Sequence, residues 1–79
     1  MHGSIYTVYD CNGAVAGKFR SYLAAYKAVT TDGKKCCEKV WKEFYAAREK
    51  NSELKKVYIV IRTHTDNTVM EPVMSFDVK

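Results

Sequence analysis

The sequence contains no long apolar run. Its longest apolar stretch of β-like character, residues 57–61, has five residues, whereas a membrane-spanning helix needs about 20. The first residues also lack the basic segment followed by an apolar segment that marks a secretory signal. Both absences argue against membrane and secreted proteins, and we expect a soluble chain.

Histidine is scarce. The two histidines are His2, near the start of the chain, and His64, which begins a polar stretch over residues 64–67. A cysteine nucleophile needs a base beside it, and His64 near Asp66 in a polar turn is more often a surface turn than a proton-transfer pair. We therefore expect no enzymatic activity.

Cysteines are few and odd in number. Two of the three, Cys36 and Cys37, are adjacent on a predicted helix, where a disulfide between neighbours would be strained. Because disulfides persist mainly in oxidising compartments, we expect reduced thiols and a cytoplasmic protein. Cys11 falls in a predicted turn and Cys37 on a predicted buried stripe, so Cys36, at the margin of that stripe, is predicted to be the most reactive thiol.

Metal and nucleotide motifs are missing as well. The sequence has no Cys-x-x-Cys, no His-x-x-x-His and no run of carboxylates, which are the usual signatures of zinc and calcium sites. Its four glycines stand apart at positions 3, 13, 17 and 33, whereas a phosphate loop needs several close together between a strand and a helix. The sequence therefore predicts no metal and no cofactor.

Positive charge is concentrated in one part of this short chain. The 79 residues are enough for one small binding domain over residues 1–79, and the net charge is +4. Residues 34–56 hold eight Lys or Arg against four Glu, and the remainder of the chain is balanced. A basic patch of this size is compatible with nucleic acid or with an acidic protein surface.

Hydrophobic periodicity and turn residues divide the chain into six elements. Asn12 and Gly13 supply the positive φ angles of a tight hairpin turn, and Pro72, which cannot donate to a strand ladder, predicts an edge strand or a bulge. The predicted elements are strands over residues 5–9 and 15–20, a short helix over 22–29, a long helix over 33–50, and strands over 57–63 and 68–78. This ββααββ order predicts an α+β fold, with one long and one short helix packed on one face of a four-stranded, mainly antiparallel sheet.

The long helix has an apolar stripe and a basic stripe. At 100° per residue, the predicted buried stripe occupies one arc and consists of Cys37, Val40, Trp41, Phe44 and Ala47. The opposite arc collects lysines, although Lys34 and Lys35 lie at the positive end of the helix dipole. Asp32 is the expected N-cap, since its carboxylate can accept from the first free backbone amides.

The basic stripe is the leading predicted contact surface, because sequences often break local rules where function requires it. The predicted partner-binding residues are Lys35, Lys39, Lys42, Tyr45 and Arg48. Tyr and Arg are common interface anchors, and lysines would steer the protein towards a larger protein or nucleoprotein complex with an acidic surface. The competing interpretation is a lysine face that only maintains solubility.

A second hypothesis assigns binding to the sheet. If the odd-numbered residues of the strand over 57–63 face the helices, its even-numbered residues lie on the open face, where aromatic and basic side chains could stack bases and hold phosphates. The protein would then be a nucleic-acid-binding accessory domain that uses the basic helix face and the sheet residues Lys18, Arg20, Tyr58 and Arg62. Plain cross-strand packing is the competing interpretation.

Two further expectations concern partners. The unpaired edge near Pro72 predicts a possible homodimer by strand addition. In general build, and with no motif behind the likeness, the chain resembles small phage and mobile-element proteins that inhibit host machinery, such as anti-CRISPR-type proteins. That resemblance implies a stoichiometric inhibitor or adaptor that occludes a surface of a larger macromolecular complex.

Overall fold

The computed structural model describes residues 3–64 and 70–78. Its strands are β1 (Ser4–Asp10), β2 (Val15–Phe19), β3 (Lys56–His64) and β4 (Met70–Asp77), and its helices are α1 (Tyr22–Thr30) and α2 (Lys35–Lys50). The strands form one antiparallel sheet in the order β2-β1-β3-β4. The predicted α+β fold and its ββααββ order are therefore confirmed. His2, the predicted turn after His64 and the predicted start of the last strand at Thr68 lie outside the described residues.

The β1–β2 hairpin closes through Asp10. Its carboxylate oxygen Oδ1 accepts from the backbone amides of Asn12, at 2.8 Å, and Ala14, at 3.0 Å. Gly13 has a φ of 83°, a conformation that a residue without Cβ adopts at little cost. The turn predicted from Asn12 and Gly13 is therefore present, and a buried aspartate holds it together.

The two helices begin differently. The Ser21 hydroxyl accepts from the backbone amide of Ala24 at 3.1 Å and caps α1, as predicted. The prediction for α2 is wrong: its N-cap is Lys34, which offers no side-chain hydrogen bond, and not Asp32. Gly33, with a φ of 85°, turns the chain between these two residues, so the helix starts too late for the Asp32 carboxylate to reach its first amides.

One hydrophobic cluster joins the sheet to both helices. From α2, Cys37, Val40 and Phe44 are buried and Trp41 and Ala47 are half-buried, which confirms the predicted apolar stripe. The sheet contributes Val8, Val57, Tyr58 and Val60, and α1 contributes Ala25, Ala28 and Val29. Burying a side chain of the size of Phe44 stabilises the fold by about 1.5–3 kcal/mol. The helix-facing side of the sheet therefore forms the core.

Candidate protein-binding surfaces

The predicted basic stripe lies on the solvent side of α2. Lys35, Lys39 and Lys42 are exposed and surround a shallow hollow together with Glu38 and Glu43. With three lysines and two glutamates, the net charge of this hollow is only +1. The lysines thus form one surface, but the carboxylates between them weaken its field.

The edge of this stripe is tied to the β1–β2 hairpin. The Lys39 ammonium donates to the carbonyl oxygen of Val15 at 3.4 Å, and the Glu43 carboxylate accepts from the side-chain amide of Asn12 at 3.5 Å. Both contacts are long and exposed, so they restrain the side chains only weakly. Lys39 and Glu43 therefore lie on the flank of α2 that faces β2.

Tyr45 and Arg48 lie towards the other flank of α2. Tyr45 is 61% exposed, yet its ring centroid lies 5.8 Å from that of Trp41 and 5.8 Å from that of Phe44. The Arg48 guanidinium carbon lies 5.5 Å from the centre of the Phe44 ring, within cation–π distance. Arg48 packs along the core edge as expected, and Tyr45 is an exposed aromatic side chain held by two neighbouring rings.

The five predicted contact residues are thus not one flat patch. At 100° per residue, Lys39 and Arg48 are about 180° apart around α2. Lys42 and Tyr45, three residues apart, are neighbours on the helix surface. A partner that lies flat on the helix can contact Lys42 and Tyr45 together, with Arg48 or Lys39 at its rim.

The orientation predicted for β3 is wrong. Tyr58 is only 4% exposed and lies in the core, because β3 pairs with β1 in a register that places Val60 opposite the buried Val8. Arg62 shares this helix-facing side, where it forms an ion pair with Glu71 of β4.

The sheet residues of the nucleic-acid hypothesis are therefore divided. Lys18 pairs with Thr7 on the opposite face of the sheet, and Arg20 is an exposed residue just after β2. Because Tyr58 and Arg62 lie on the helix-facing side, Lys18, Arg20, Tyr58 and Arg62 do not form a common surface.

The face of the sheet that points away from the helices is instead apolar. The register places Ile5, Tyr9, Ile59 and Ile61 on this face, around Thr7 and Thr63. The four apolar residues are half-buried and do not belong to the core cluster. Sequence periodicity did not reveal this face, because residues 57–61 are apolar at odd and even positions alike.

The sheet ends in two edge strands, β2 and β4. Pro72 lies in β4, and the pairing of β4 with β3 is irregular between Val60 and Ile61. This confirms the prediction that Pro72 belongs to an edge strand. Proline lacks a backbone N–H, and at an edge strand its absence does not interrupt the hydrogen bonds of the central strands.

The thiols offer little reactivity. Cys36 is 8% exposed and packs in the core, which argues against the prediction that it is the most reactive thiol. Burial raises the pKa of the Cys36 thiol, the neighbouring Cys37 raises it further, and Lys39 lowers it. Burial also raises the pKa of Cys11, with the charges of Asp10 and Glu43 adding to the effect and a backbone hydrogen bond opposing it.

No metal-binding constellation is found in the part of the chain that the structure describes. Within it, no group of three or more His, Cys, Asp or Glu residues could hold a metal ion. His64 is half-buried at the end of β3, and its predicted neighbour Asp66 lies outside the described residues. The exposed side chains of the described surface include lysines, glutamates, tyrosines and apolar residues.

The sequence matches no protein-family model, and it has no match among curated proteins or solved structures. Among the described residues, neither helix is long and apolar enough to cross a bilayer.

Proposed function

We propose that this protein acts by stoichiometric, non-enzymatic binding to a larger protein or nucleoprotein complex, as an inhibitor or adaptor that occludes a surface of its partner. The observation that carries the proposal is Tyr45, whose ring is 61% exposed but rests on Trp41 and Phe44. A tyrosine held in this way loses little rotamer freedom on binding, which lowers the entropic cost of the complex. Tyrosines with these properties are common centres of interfaces.

The positive charge of this surface indicates an acidic partner. Lys42 lies beside Tyr45 on α2, and Lys35 and Lys39 extend the positive surface along the helix. Rim lysines of this kind accelerate association with an acidic surface more than they slow dissociation. The proposed contact therefore has Tyr45 and Lys42 at its centre, with either Lys35 and Lys39 or Arg48 at its rim.

The proposed setting is the cytoplasm, with no cofactor. It is supported by three free cysteines among the described residues. Small phage and mobile-element proteins that inhibit host defence, such as anti-CRISPR-type proteins, share this general build, and we propose the same mode of action here. That likeness supports the proposed class of mechanism, and the identity of the partner is to be determined by experiment.

Capture from cell lysate tests the proposal. The tagged protein is incubated with lysate of its source or host cells, with and without nuclease, and bound proteins are identified by mass spectrometry. We expect a discrete nuclease-resistant complex. Tyr45→Ala should weaken the affinity of the identified partner by at least about 30-fold, the loss typical of an interface centre.

Matched variants separate the surfaces. Tyr26→Ala removes another exposed tyrosine, 46% exposed, from α1 and should leave capture unchanged. Lys39→Glu combined with Lys42→Glu should slow association. Unchanged affinity of the Tyr45→Ala variant would rule out the α2 surface and move the contact to the apolar face of the sheet.

Nucleic-acid binding is the alternative proposal. It is supported by the excess of Lys and Arg over residues 34–56, and the division of the sheet residues leaves Lys35, Lys39 and Lys42 as its contacts. It predicts an affinity that falls with salt, with a log–log slope of about −0.7 to −0.9 for each phosphate contacted. Affinity that does not depend on salt would exclude it.

Self-association through a sheet edge is a further candidate. The edge strands β2 and β4 present unpaired backbone groups on which a second copy could add a strand. Light scattering after size exclusion, from micromolar to millimolar protein, distinguishes a dimer from a monomer. A monomer at every concentration would remove this candidate.

A further inference from the structure

The residues that line a recess between the helices and the β3–β4 edge of the sheet include three aromatic residues and one aspartate. The rings belong to Trp41 of α2, Tyr58 of β3 and Phe76 of β4, and the carboxylate belongs to Asp32, which precedes α2. The recess has a volume of about 270 Å³, slightly below the ~300–1,000 Å³ of sites for drug-sized ligands. It therefore fits a single chemical group better than a whole ligand.

The aromatic rings form an open corner. The Phe76 ring lies 5.7 Å from Trp41 at an interplanar angle of 60°, and 5.9 Å from Tyr58 at 17°. Tyr58 is almost completely buried, whereas Phe76 is 42% exposed and Trp41 is half-buried. Trp41 and Phe76 therefore supply the accessible aromatic surface, and Tyr58 supports Phe76 from within.

Asp32 adds a negatively charged residue to the lining of the recess. It does not cap α2, and within residues 3–64 and 70–78 no ion pair involves it. The pKa of the Cys37 thiol is raised mainly by burial, and the negative charges of Asp32 and Glu38 raise it further. Cys37 also lines the recess, and the effect of the Asp32 charge on its thiol agrees with the presence of both residues in the lining.

We propose that this recess binds a quaternary or methylated ammonium group. Aromatic faces carry the negative part of the ring quadrupole and attract cations. Methyl groups spread the positive charge and can contact the rings without the strong hydration of a bare ammonium. The Asp32 carboxylate favours a cation and disfavours an anion at the same position. This site does not depend on the proposed partner surface around Tyr45.

Binding in the recess can be followed by the fluorescence of Trp41. Trp41 is the only tryptophan in the chain, so a change in tryptophan fluorescence reports on this site directly. The probes are choline and 3,3-dimethyl-1-butanol, in which the quaternary nitrogen is replaced by carbon and the charge is lost. We expect saturable binding of choline, with an affinity about five-fold or more above that of the neutral isostere.

Two variants test the walls of the site, and two others serve as controls. Phe76→Leu removes an aromatic face and keeps most of the apolar volume, and Asp32→Asn removes the charge. Each should weaken choline binding by about five-fold. Tyr45→Leu and Glu38→Gln should leave it unchanged, because Tyr45 contacts Trp41 from outside the recess and Glu38 is a nearby carboxylate that does not line it. Circular dichroism confirms that each variant is folded.

The outcomes are distinct. Equal affinity for choline and its isostere, no saturable binding of choline, or unchanged binding in the Asp32→Asn variant would each overturn the proposal. If choline binds, a titration with N-acetyl-trimethyllysine amide identifies the source of the group. Tighter binding than choline assigns a methylated lysine side chain, and equal or weaker binding assigns a free choline-type compound.

Discussion

The ring centroids of Trp41 and Phe76 lie 5.7 Å apart, and this contact joins α2 to the edge strand β4. In the sheet, β4 pairs only with β3. Phe76 also stacks on Tyr58 of that strand. One half-exposed phenylalanine therefore connects the edge of the sheet to the helical layer and forms a wall of the recess.

Replacing Phe76 tests how strongly this contact stabilises the fold. We expect Phe76→Ala to lower the free energy of unfolding by about 1–2 kcal/mol, less than the ~3–5 kcal/mol of a fully buried phenylalanine, because part of the ring is already in water. Phe44→Ala, at a fully buried position, should reach the larger range. Urea unfolding followed by circular dichroism measures both. Equal losses for the two variants would contradict this interpretation.

The Arg62–Glu71 ion pair joins β3 to β4 on the helix-facing side. Both side chains are more than one third exposed, so the pair contributes at most about 1 kcal/mol. The Arg62 Nε atom is buried and has no hydrogen-bond partner in the described part of the chain, a situation that typically costs about 1–3 kcal/mol. These two effects oppose each other.

We therefore expect Arg62→Met to change the free energy of unfolding by less than about 1 kcal/mol. Methionine keeps the apolar stem and removes the buried Nε. Glu71→Gln is the matched control, since it breaks the ion pair but leaves the buried atom in place. A double-mutant cycle measured by urea unfolding separates the two contributions. A loss of several kcal/mol for Arg62→Met would show that the ion pair dominates.

The element order followed from local signals in the sequence. The turn at Asn12 and Gly13, the Ser21 cap and the edge position of Pro72 each depend on the chemistry of one or two residues, which a sequence shows directly. The apolar stripe of α2 followed in the same way from helical periodicity. Most features that a single element determines could therefore be predicted, and the N-cap of α2 is the exception.

The orientation of β3 depends on more than one strand. Residues 57–61 are apolar throughout, so alternation cannot show which side faces the helices. An irregularity between Lys56 and Tyr58 in the pairing with β4 accompanies the burial of two consecutive residues, Val57 and Tyr58. A bulge of this kind breaks the alternation on which the prediction relied.

The candidate sites also differ in whether one element or several elements determine them. The lysine face of α2 was visible in the sequence because all its members lie on one helix. The aromatic recess was not, because Asp32, Trp41 and Phe76 come from three separate parts of the chain and meet only in the folded protein. Asp32 had an obvious local interpretation as an N-cap, and the positive φ of Gly33 is what excludes it.

Lys34 offers a stabilising substitution. It occupies the N-cap of α2 without a side-chain hydrogen bond and places a cation at the positive end of the helix dipole. Its φ of −79° and ψ of 137° suit a capping residue. We expect Lys34→Asp to raise the free energy of unfolding by about 1–2 kcal/mol, by adding an acceptor for the first amides and reversing the charge.

Thermal unfolding and urea unfolding measure this gain. Lys42→Asp is the matched control, because it makes the same change of charge in the interior of α2, where no free amide needs a cap. It should not stabilise the protein. If both variants gain equally, the effect comes from reduced net charge and not from capping.

The buried thiols predict which cysteine reacts first with a small alkylating reagent. Cys11 is half-exposed, whereas Cys36 and Cys37 are buried. Since access and thiolate content both control the rate, we expect iodoacetamide to label Cys11 first in the folded protein at pH 8. Mass spectrometry of peptides at successive times gives the order. If all three cysteines of the folded protein were labelled at the same rate, and that rate matched the rate in urea, burial would not protect them.

The same thiols make stability depend on alkaline pH. Burial is the main cause of the raised pKa of Cys36 and of Cys37, so the folded protein keeps their protons to higher pH than the unfolded chain does. The contribution of these thiols to stability is therefore complete below about pH 8.5, the ordinary thiol pKa, and is lost as pH rises through the folded values. Each thiol can lower the free energy of unfolding by at most about 1.4 kcal/mol per pH unit in that window.

Urea unfolding between pH 7 and pH 9.5, under reducing conditions, measures this slope. Burial also raises the pKa of Tyr58, which adds a contribution of the same sign near pH 9.5 that the Cys36→Ala variant retains. Cys36→Ala should be less stable than the unmodified chain at pH 7, because it leaves a small cavity in the core, but its stability should fall less steeply with pH. Lys42→Ala, which removes an exposed charge from the same helix, should keep the original slope. A stability that stays constant up to pH 9.5 would mean that the thiols titrate alike in both states, and that solvent reaches Cys36 and Cys37 in the folded protein.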